Sequence, residues 1–385
     1  METSPLIDFW IFGPERGCLM REVPIIRQLA VANIRFRIFA HKDHKSLIQS
    51  SLKDLSFEFI PYRFGLSLKY TKNYDIAIFR TLISLAQYVF FVSISHYSLF
   101  RKNIKKQRPT LIVNDFLPLI PIFAHLHKLP IAGVYNYRLH YTGLGESFFH
   151  RMLSWGVHTA FTKMYALHQP MLIEQIYPQP FEGHTIEIPI IARSVVESKT
   201  SVLAQLNLQK DETNIYLSLG GGATKINKQI LNVFSDIGSA QNWNIILHPR
   251  NKYEMEWLGK HYPQFTLVPY DWVETQDILQ CASVVVARAG FTTVAECLKL
   301  NIPLVLWHME KHPEIRETEN FLKENNLCAG IIHEHDAPDT IAKTIKQGLH
   351  NDPLLDKLNL IQSDGDLHAK TLLMKALRLI QHDES

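Results

Sequence analysis

Apolar residues gather in short, unbroken, mostly β-branched or aromatic runs. Ile7-Asp-Phe-Trp-Ile-Phe12, Ile34 to Phe39, Leu111-Ile-Val-Asn-Asp-Phe116, Ile131 to Tyr135, Asn214-Ile-Tyr-Leu-Ser-Leu219, Asn244 to His248, Phe265 to Val268, Val284 to Val286 and Pro303 to Trp307 read as strands. Runs of this kind suit strands covered on both faces, as in parallel sheets. Between them come segments with helical spacing: Leu19 to Ala30, Leu119 to His127, a helix opening near Ile226, Asp277 to Ala282, Val294 to Leu300 and Ile315 to Glu324. Strands alternating with helices predict an α/β protein. Tyr177-Pro-Gln-Pro180 interrupts the pattern, and Glu187-Ile-Pro-Ile-Ile-Ala-Arg193 leads into a polar run, Glu197 to Thr213. We therefore expect domains over 1–189 and 190–365. An amphipathic last helix, Ala369 to Ile380 within 366–385, is expected to return to the first.

The strand–helix junctions carry the candidate chemistry. In Ser283-Val-Val-Val-Ala-Arg-Ala-Gly-Phe-Thr-Thr-Val-Ala-Glu296 a buried strand breaks at Arg288-Ala-Gly290, and a helix capped by the Thr292 or Thr293 hydroxyl is expected to follow. Unpaired N–H groups and the positive end of the helix dipole make such a start an anion site. Glu296, about one turn in, can bond a group attached to that anion, as a ribose is attached to a phosphate. Gly220-Gly-Gly222 forms a second such junction, after Leu219. Three glycines let backbone approach a ligand closely.

The first half offers Gly13-Pro-Glu-Arg-Gly17 after the first strand, where open parallel sheets bind ligands. It is not a GxGxxG element, and Ala40-His-Lys follows the second strand in place of an acidic residue, which disfavours a classical dinucleotide site. Asp115 ends a strand and reads equally as a site carboxylate or a helix N-cap. His140 and Glu146 lie in a polar, aromatic, glycine-bearing loop, Asn136 to Glu146.

Composition narrows the classes. The 385 residues are 46% hydrophobic and 20% charged, as in ordinary globular proteins. A formal charge of +3 argues for no nucleic-acid partner. Cys18, Cys281, Cys297 and Cys328 are scattered without metal-type spacing, which fits a reduced, cytoplasmic setting. Met1-Glu-Thr-Ser-Pro does not read as a signal peptide. Thr81 to Ser95 is shorter than the ~20 residues of a spanning helix and reads as a core helix. A helix resting on the inner face of a membrane is the alternative, from Tyr88, Phe90, Phe91, Tyr97 and Phe100 followed by Arg101, Lys102, Lys105 and Lys106.

Arg288 to Pro303, followed by Arg316-Glu-Thr-Glu-Asn320, resembles the donor-binding region of GT-B glycosyltransferases. The nearest group is that of the lipid-linked N-acetylglucosaminyl transferase of peptidoglycan synthesis, in glycosyltransferase family 28. Ser218-Leu-Gly-Gly-Gly-Ala223 is similar to that group's glycine turn, and Gly13 to Arg21 with Asn114-Asp-Phe and Leu129-Pro to its N-terminal half. The resemblance implies two Rossmann-like domains with parallel sheets facing a central cleft. It implies a UDP-sugar or other nucleotide-diphosphate sugar as substrate, no cofactor, no metal, and a glycan, lipid-linked or small-molecule acceptor. Gly221, Gly222, Gly290, Thr292 and Thr293 fall on the diphosphate, Glu296 on the ribose, the Val273 backbone on the base, and Arg316 and Glu317 on the sugar. Gly220, Arg288, Phe291 and Asn320 fall among the donor-binding residues. Arg316-Glu317 stands where the family usually has an acidic-Gln or Gln-Gln pair, and Cys18 where it often has His. The candidates for activating the acceptor hydroxyl, in order, are Glu15, Asp115 and His140. The expected reaction is an inverting transfer. A nucleotide-sugar hydrolase or epimerase and a non-catalytic nucleotide-sugar-binding protein are the alternatives.

Overall fold

The computed structural model describes residues 4–13, 16–63, 83–84, 86–88, 92–136, 159, 162–163, 165–179, 185–218, 228–308 and 313–383. It divides into two units, each built on a parallel sheet. The first runs to Ile191 and takes in the chain again from Asp364; Ala192–Ser363 belongs to the second.

The first unit is assembled from β1 (Leu6–Ile11), α1 (Arg16–Ala30), β2 (Arg35–His41), α2 (Lys45–Ser51), β3 (Phe57–Tyr62), α3 (Ser93–Lys106), β4 (Leu111–Asp115), α4 (Ile120–Leu126), β5 (Ile131–Tyr135), β6 (Met171–Glu174) and β7 (Thr185–Ile188). Its strands order as β3-β2-β1-β4-β5-β6-β7. Every residue of β1 and β4 is buried, the polar Asp8 through its pair with Arg37 and Asp115 through Arg21, so both strands read as mostly apolar. Trp10 stacks on Phe39 at 4.0 Å between ring centroids and heads a cluster with Phe100, Ile112 and Leu117. Tyr88 and Phe100 are buried, so neither is offered to a membrane surface; Phe90 and Phe91 lie outside the described residues.

The second unit follows with α5 (Lys199–Gln205), β8 (Asn214–Ser218), α6 (Lys228–Gln241), β9 (Asn244–Leu247), α7 (Lys252–His261), β10 (Thr266–Leu267), α8 (Thr275–Leu279), β11 (Val284–Ala287), α9 (Phe291–Lys299), β12 (Leu304–Trp307), α10 (Pro313–Glu324), β13 (Gly330–Ile332), α11 (Pro338–Leu349) and α12 (Asp352–Leu358). Its order is β10-β9-β8-β11-β12-β13. The polar run after Glu197 is not all loop: the Ser198 hydroxyl accepts from the Ser201 N–H at 3.3 Å and starts α5. Asn207, Asn242, Asn301 and Asn326 follow α5, α6, α9 and α10 with φ between 53° and 55°. Asparagine tolerates this left-handed region and turns each helix back to the sheet in a few residues.

The final helix, α13 (Gly365–Asp383), packs on α1 of the first unit. Ala369, Leu373 and Leu377 are its buried stripe, and Gln28 Nε2 donates to Asp366 Oδ2 at 2.9 Å. Among the described residues no helix is long and apolar enough to cross a membrane.

Candidate donor site and the charged cluster of the first unit

Strand order in the second sheet reverses between β8 and β11, the switch point at which open α/β sheets take ligands beyond their carboxyl ends. Ser218 pairs with Ala287, so the chain leaves both strands side by side. After β11 the Gly290 N–H donates to the Arg288 carbonyl at 2.7 Å, and the Val294 N–H makes the first helical bond, to Gly290, at 3.1 Å. Gly290, not a threonine, is the N-cap of α9, and having no side chain it supplies no cap bond of its own. The expected hydroxyl cap is therefore corrected. With φ −72° and ψ 125°, Gly290 has a backbone any residue could adopt. What glycine contributes is bareness, since a methyl placed there would meet no atom of the described residues within 4 Å. The opening of α9 can thus present its N-terminal backbone to an anion at close range.

Arg193 ties this turn to its surroundings, and sequence reasoning missed it. The side chain is 4% exposed. Its Nε donates to Glu296 Oε1 at 2.8 Å, its Nη1 to the Val273 carbonyl at 3.3 Å and to Glu274 Oε2 at 3.2 Å, and its Nη2 to Thr275 Oγ1 at 2.6 Å. One guanidinium thereby joins Val273 and Glu296, which are 23 positions apart in sequence. Both contacts to Glu296 fall on Oε1, Nη2 lying 2.7 Å from it, so Oε2 is left to another partner. The available signal was a lone arginine ending the apolar Glu187-Ile-Pro-Ile-Ile-Ala segment.

Arg316 and Asn320 project from one exposed side of α10, while Glu317 is partly buried with its Oε2 unbonded. The structure gathers Arg288, Gly290, Phe291, Thr292, Thr293 and Glu296 on one junction, with Val273 joined through Arg193. Gly220, Gly221, Gly222, Glu15 and His140 lie outside the described residues.

At the corresponding edge of the first sheet, Asp115 is neither an exposed base nor a helix cap. It is 1% exposed and its Oδ1 pairs with the buried Arg21, while Leu119 caps α4. Glu174 Oε2 lies 3.9 Å from Arg21, and Glu174 Oε1 accepts from the Ile191 N–H at 2.6 Å. Glu22 is also buried, and neither of its carboxyl oxygens is bonded. Three carboxyls share one guanidinium, and desolvation disfavours their charge. Burial pushes Glu174 up to about 8 against the pull of Arg21, and Glu22 well above the usual carboxylate range. Burial opposes charge on Arg21 too, yet the surrounding acids, Asp115 foremost, hold its pKa above the ordinary value. Cys18 is half-buried and donates to Asp115.

No cluster of three metal-ligating side chains occurs among the described residues. The chain does contain one Asp-x-Asp spacing, Asp364-Gly-Asp366, but it opens α13: Asp366 holds Gln28, and Gly365 lies against the Pro189 carbonyl.

Comparison with known proteins agrees with this architecture. Residues 216–364 match the glycosyltransferase family 28 C-terminal domain. A UDP-N-acetylglucosamine–N-acetylmuramyl-(pentapeptide) pyrophosphoryl-undecaprenol N-acetylglucosamine transferase of Pediococcus pentosaceus is 30% identical over 152 residues. That match takes in 38% of this chain and spans only 41% of the relative. Among solved structures, the calicheamicin glycosyltransferase CalG4 superposes with a TM-score of 0.69 at 13% identity, covering 98% of this chain and 100% of that one. UGT71G1 of Medicago truncatula, solved with UDP-glucose, gives 0.68 at 11% identity, over 97% and 98%. The fold is that of the GT-B glycosyltransferases. Within that fold, the match to the glycosyltransferase family 28 C-terminal domain falls on the second unit.

Proposed function

We propose that the protein is a glycosyltransferase that takes a sugar from a nucleotide-diphosphate donor, a UDP-sugar, and passes it to an acceptor hydroxyl with inversion. The observation that carries this reading is the Arg193 bridge. It holds a carboxylate for ribose hydroxyls and a backbone carbonyl for a base beside a glycine-capped helix start suited to a diphosphate. The similar proteins, one a UDP-N-acetylglucosamine transferase and one solved with UDP-glucose, support the donor class. In the proposed reaction the acceptor oxygen attacks the anomeric carbon, the bond from that carbon to the diphosphate breaks, and the acceptor proton passes to a base. The opening of α9 stabilises charge gathering on the leaving diphosphate, so the step is proposed to need no metal. Asp115 is held by Arg21, so among the candidates we assign the base to Glu15 ahead of His140.

Calorimetry with UDP tests the donor half. The parent chain should bind, and Glu296→Ala should lose about tenfold or more, the value of a hydrogen bond to a charged group. The reading fails if no nucleoside diphosphate binds or if the variant binds as the parent does.

A further inference from the structure

A histidine–carboxylate pair on the carboxyl edge of the second sheet is used by none of the contacts above. His308 directly follows β12, and its N–H donates to the Ile332 carbonyl at 2.8 Å, extending the sheet. Its ring Nδ1 is 2.7 Å from Glu319 Oε1 on α10, and the His333 ring lies 4.6 Å away between centroids. Glu319 is 3% exposed and its Oε2 is unbonded. A buried carboxylate on Nδ1 fixes the tautomer, because Nδ1–H donates to it and Nε2 is left as the atom that can meet a ligand. The His308 side chain keeps 21% of its surface exposed, so the ring is reachable.

Register shows what lies beside it. Ala287 pairs with Leu306, so His308 and the Arg288–Gly290 turn leave neighbouring strands at the same end of the sheet. β12 lies on the opposite side of β11 from β8, β9 and β10, and Val273 enters from the β10 side. A donor with its nucleoside at Val273 and Glu296 and its diphosphate at the start of α9 therefore extends its sugar toward β12.

We propose that His308 recognises the donor sugar, its Nε2 accepting a hydrogen bond from a ring hydroxyl of a neutral hexose or hexosamine. Glu319 is the positioning residue that holds the ring for that contact. This inference rests on the donor reading above, and its test separates the two.

Calorimetry on the full chain compares UDP, UDP-glucose and UDP-N-acetylglucosamine. In His308→Asn the amide can still donate to Glu319 but nothing reaches the Nε2 position. This variant should bind the sugar nucleotide about tenfold more weakly, as expected for one lost hydrogen bond, with UDP unchanged. His308→Gln, whose longer amide reaches toward Nε2, should recover most of the loss. Glu319→Gln keeps an acceptor for Nδ1 and should bind as the parent does, whereas Glu319→Leu should repeat the His308→Asn pattern. The inference is overturned, with the donor reading intact, if UDP binds but neither sugar nucleotide does. Equal weakening of UDP and sugar nucleotide overturns it as well, as does Asn serving as well as Gln, which marks a purely structural partner for Glu319. Absence of UDP binding to the parent overturns the donor reading and this inference together.

Discussion

Two parallel sheets in one chain treat the same edge in opposite ways. At the carboxyl edge of the first, Arg21 draws Asp115, Glu174 and Glu22 into a buried cluster. At that of the second, a glycine without a side chain, Gly290, opens α9, and Arg193 holds Glu296 and Val273 in place. The contrast shows that a strand-end carboxylate is not a site by position alone. Asp115 has the favoured place but no exposure, whereas Glu296 keeps one oxygen uncommitted.

The largest expected effect comes from breaking the closed edge. Arg21→Met leaves the buried acids without their cation and should cost about 3–5 kcal/mol in urea unfolding followed by a probe in the first unit. UDP titration should still detect the second unit's site. Equal loss at both units would show that the edges are not independent.

Next is a dependence on pH. Folding raises Glu174 from the ordinary 4.5 to about 8, so the folded chain holds the proton more tightly than the unfolded one. The contribution is fully present below 4.5 and is lost as pH rises through about 8. Glu22, raised in the same direction, adds to the trend. Stability of the first unit should therefore fall across this interval, and Glu174→Gln should flatten the slope. A parent stability that rises from pH 5 to 8 would contradict the protonated cluster.

The smallest effect sharpens the contrast with one methyl group at two glycines. A Cβ at Gly133 would lie 2.6 Å from the Tyr135 ring and 3.0 Å from His168, so Gly133→Ala should cost about 1–3 kcal/mol in thermal unfolding. Gly290→Ala meets no atom of the described residues within 4 Å and should leave stability within about 0.5 kcal/mol of the parent. It should nevertheless weaken UDP binding, because the methyl occupies the approach to the helix start.

The α/β character was legible because parallel strands buried on both faces write themselves as apolar runs, such as Val284 to Val286 and Phe9 to Phe12. Strands with mixed burial did not declare themselves: β3 carries Glu58 and Pro61, and β7 is half-exposed over Thr185 to Glu187. The short helix α5 was hidden in a polar run and was signalled only by Ser198. The turn after β11 was visible in Arg288-Ala-Gly290, but its cap was misplaced, since a hydroxyl preference is weak beside the geometry of the turn. The Arg21–Asp115 and Arg193–Glu296 pairs join residues 94 and 103 positions apart. Local periodicity carries no information about contacts at such separations.

The return of α13 to the first unit bears on the order in which the chain can fold during synthesis. Everything the second unit needs, through Ser363, leaves the ribosome before the helix that covers α1 has emerged. The earlier-made unit must therefore wait with the α1 surface beneath Ala369, Leu373 and Leu377 uncovered, while the later-made one can already close. A chain cut after Ser363 would keep the whole second unit but leave the first without the helix that covers α1.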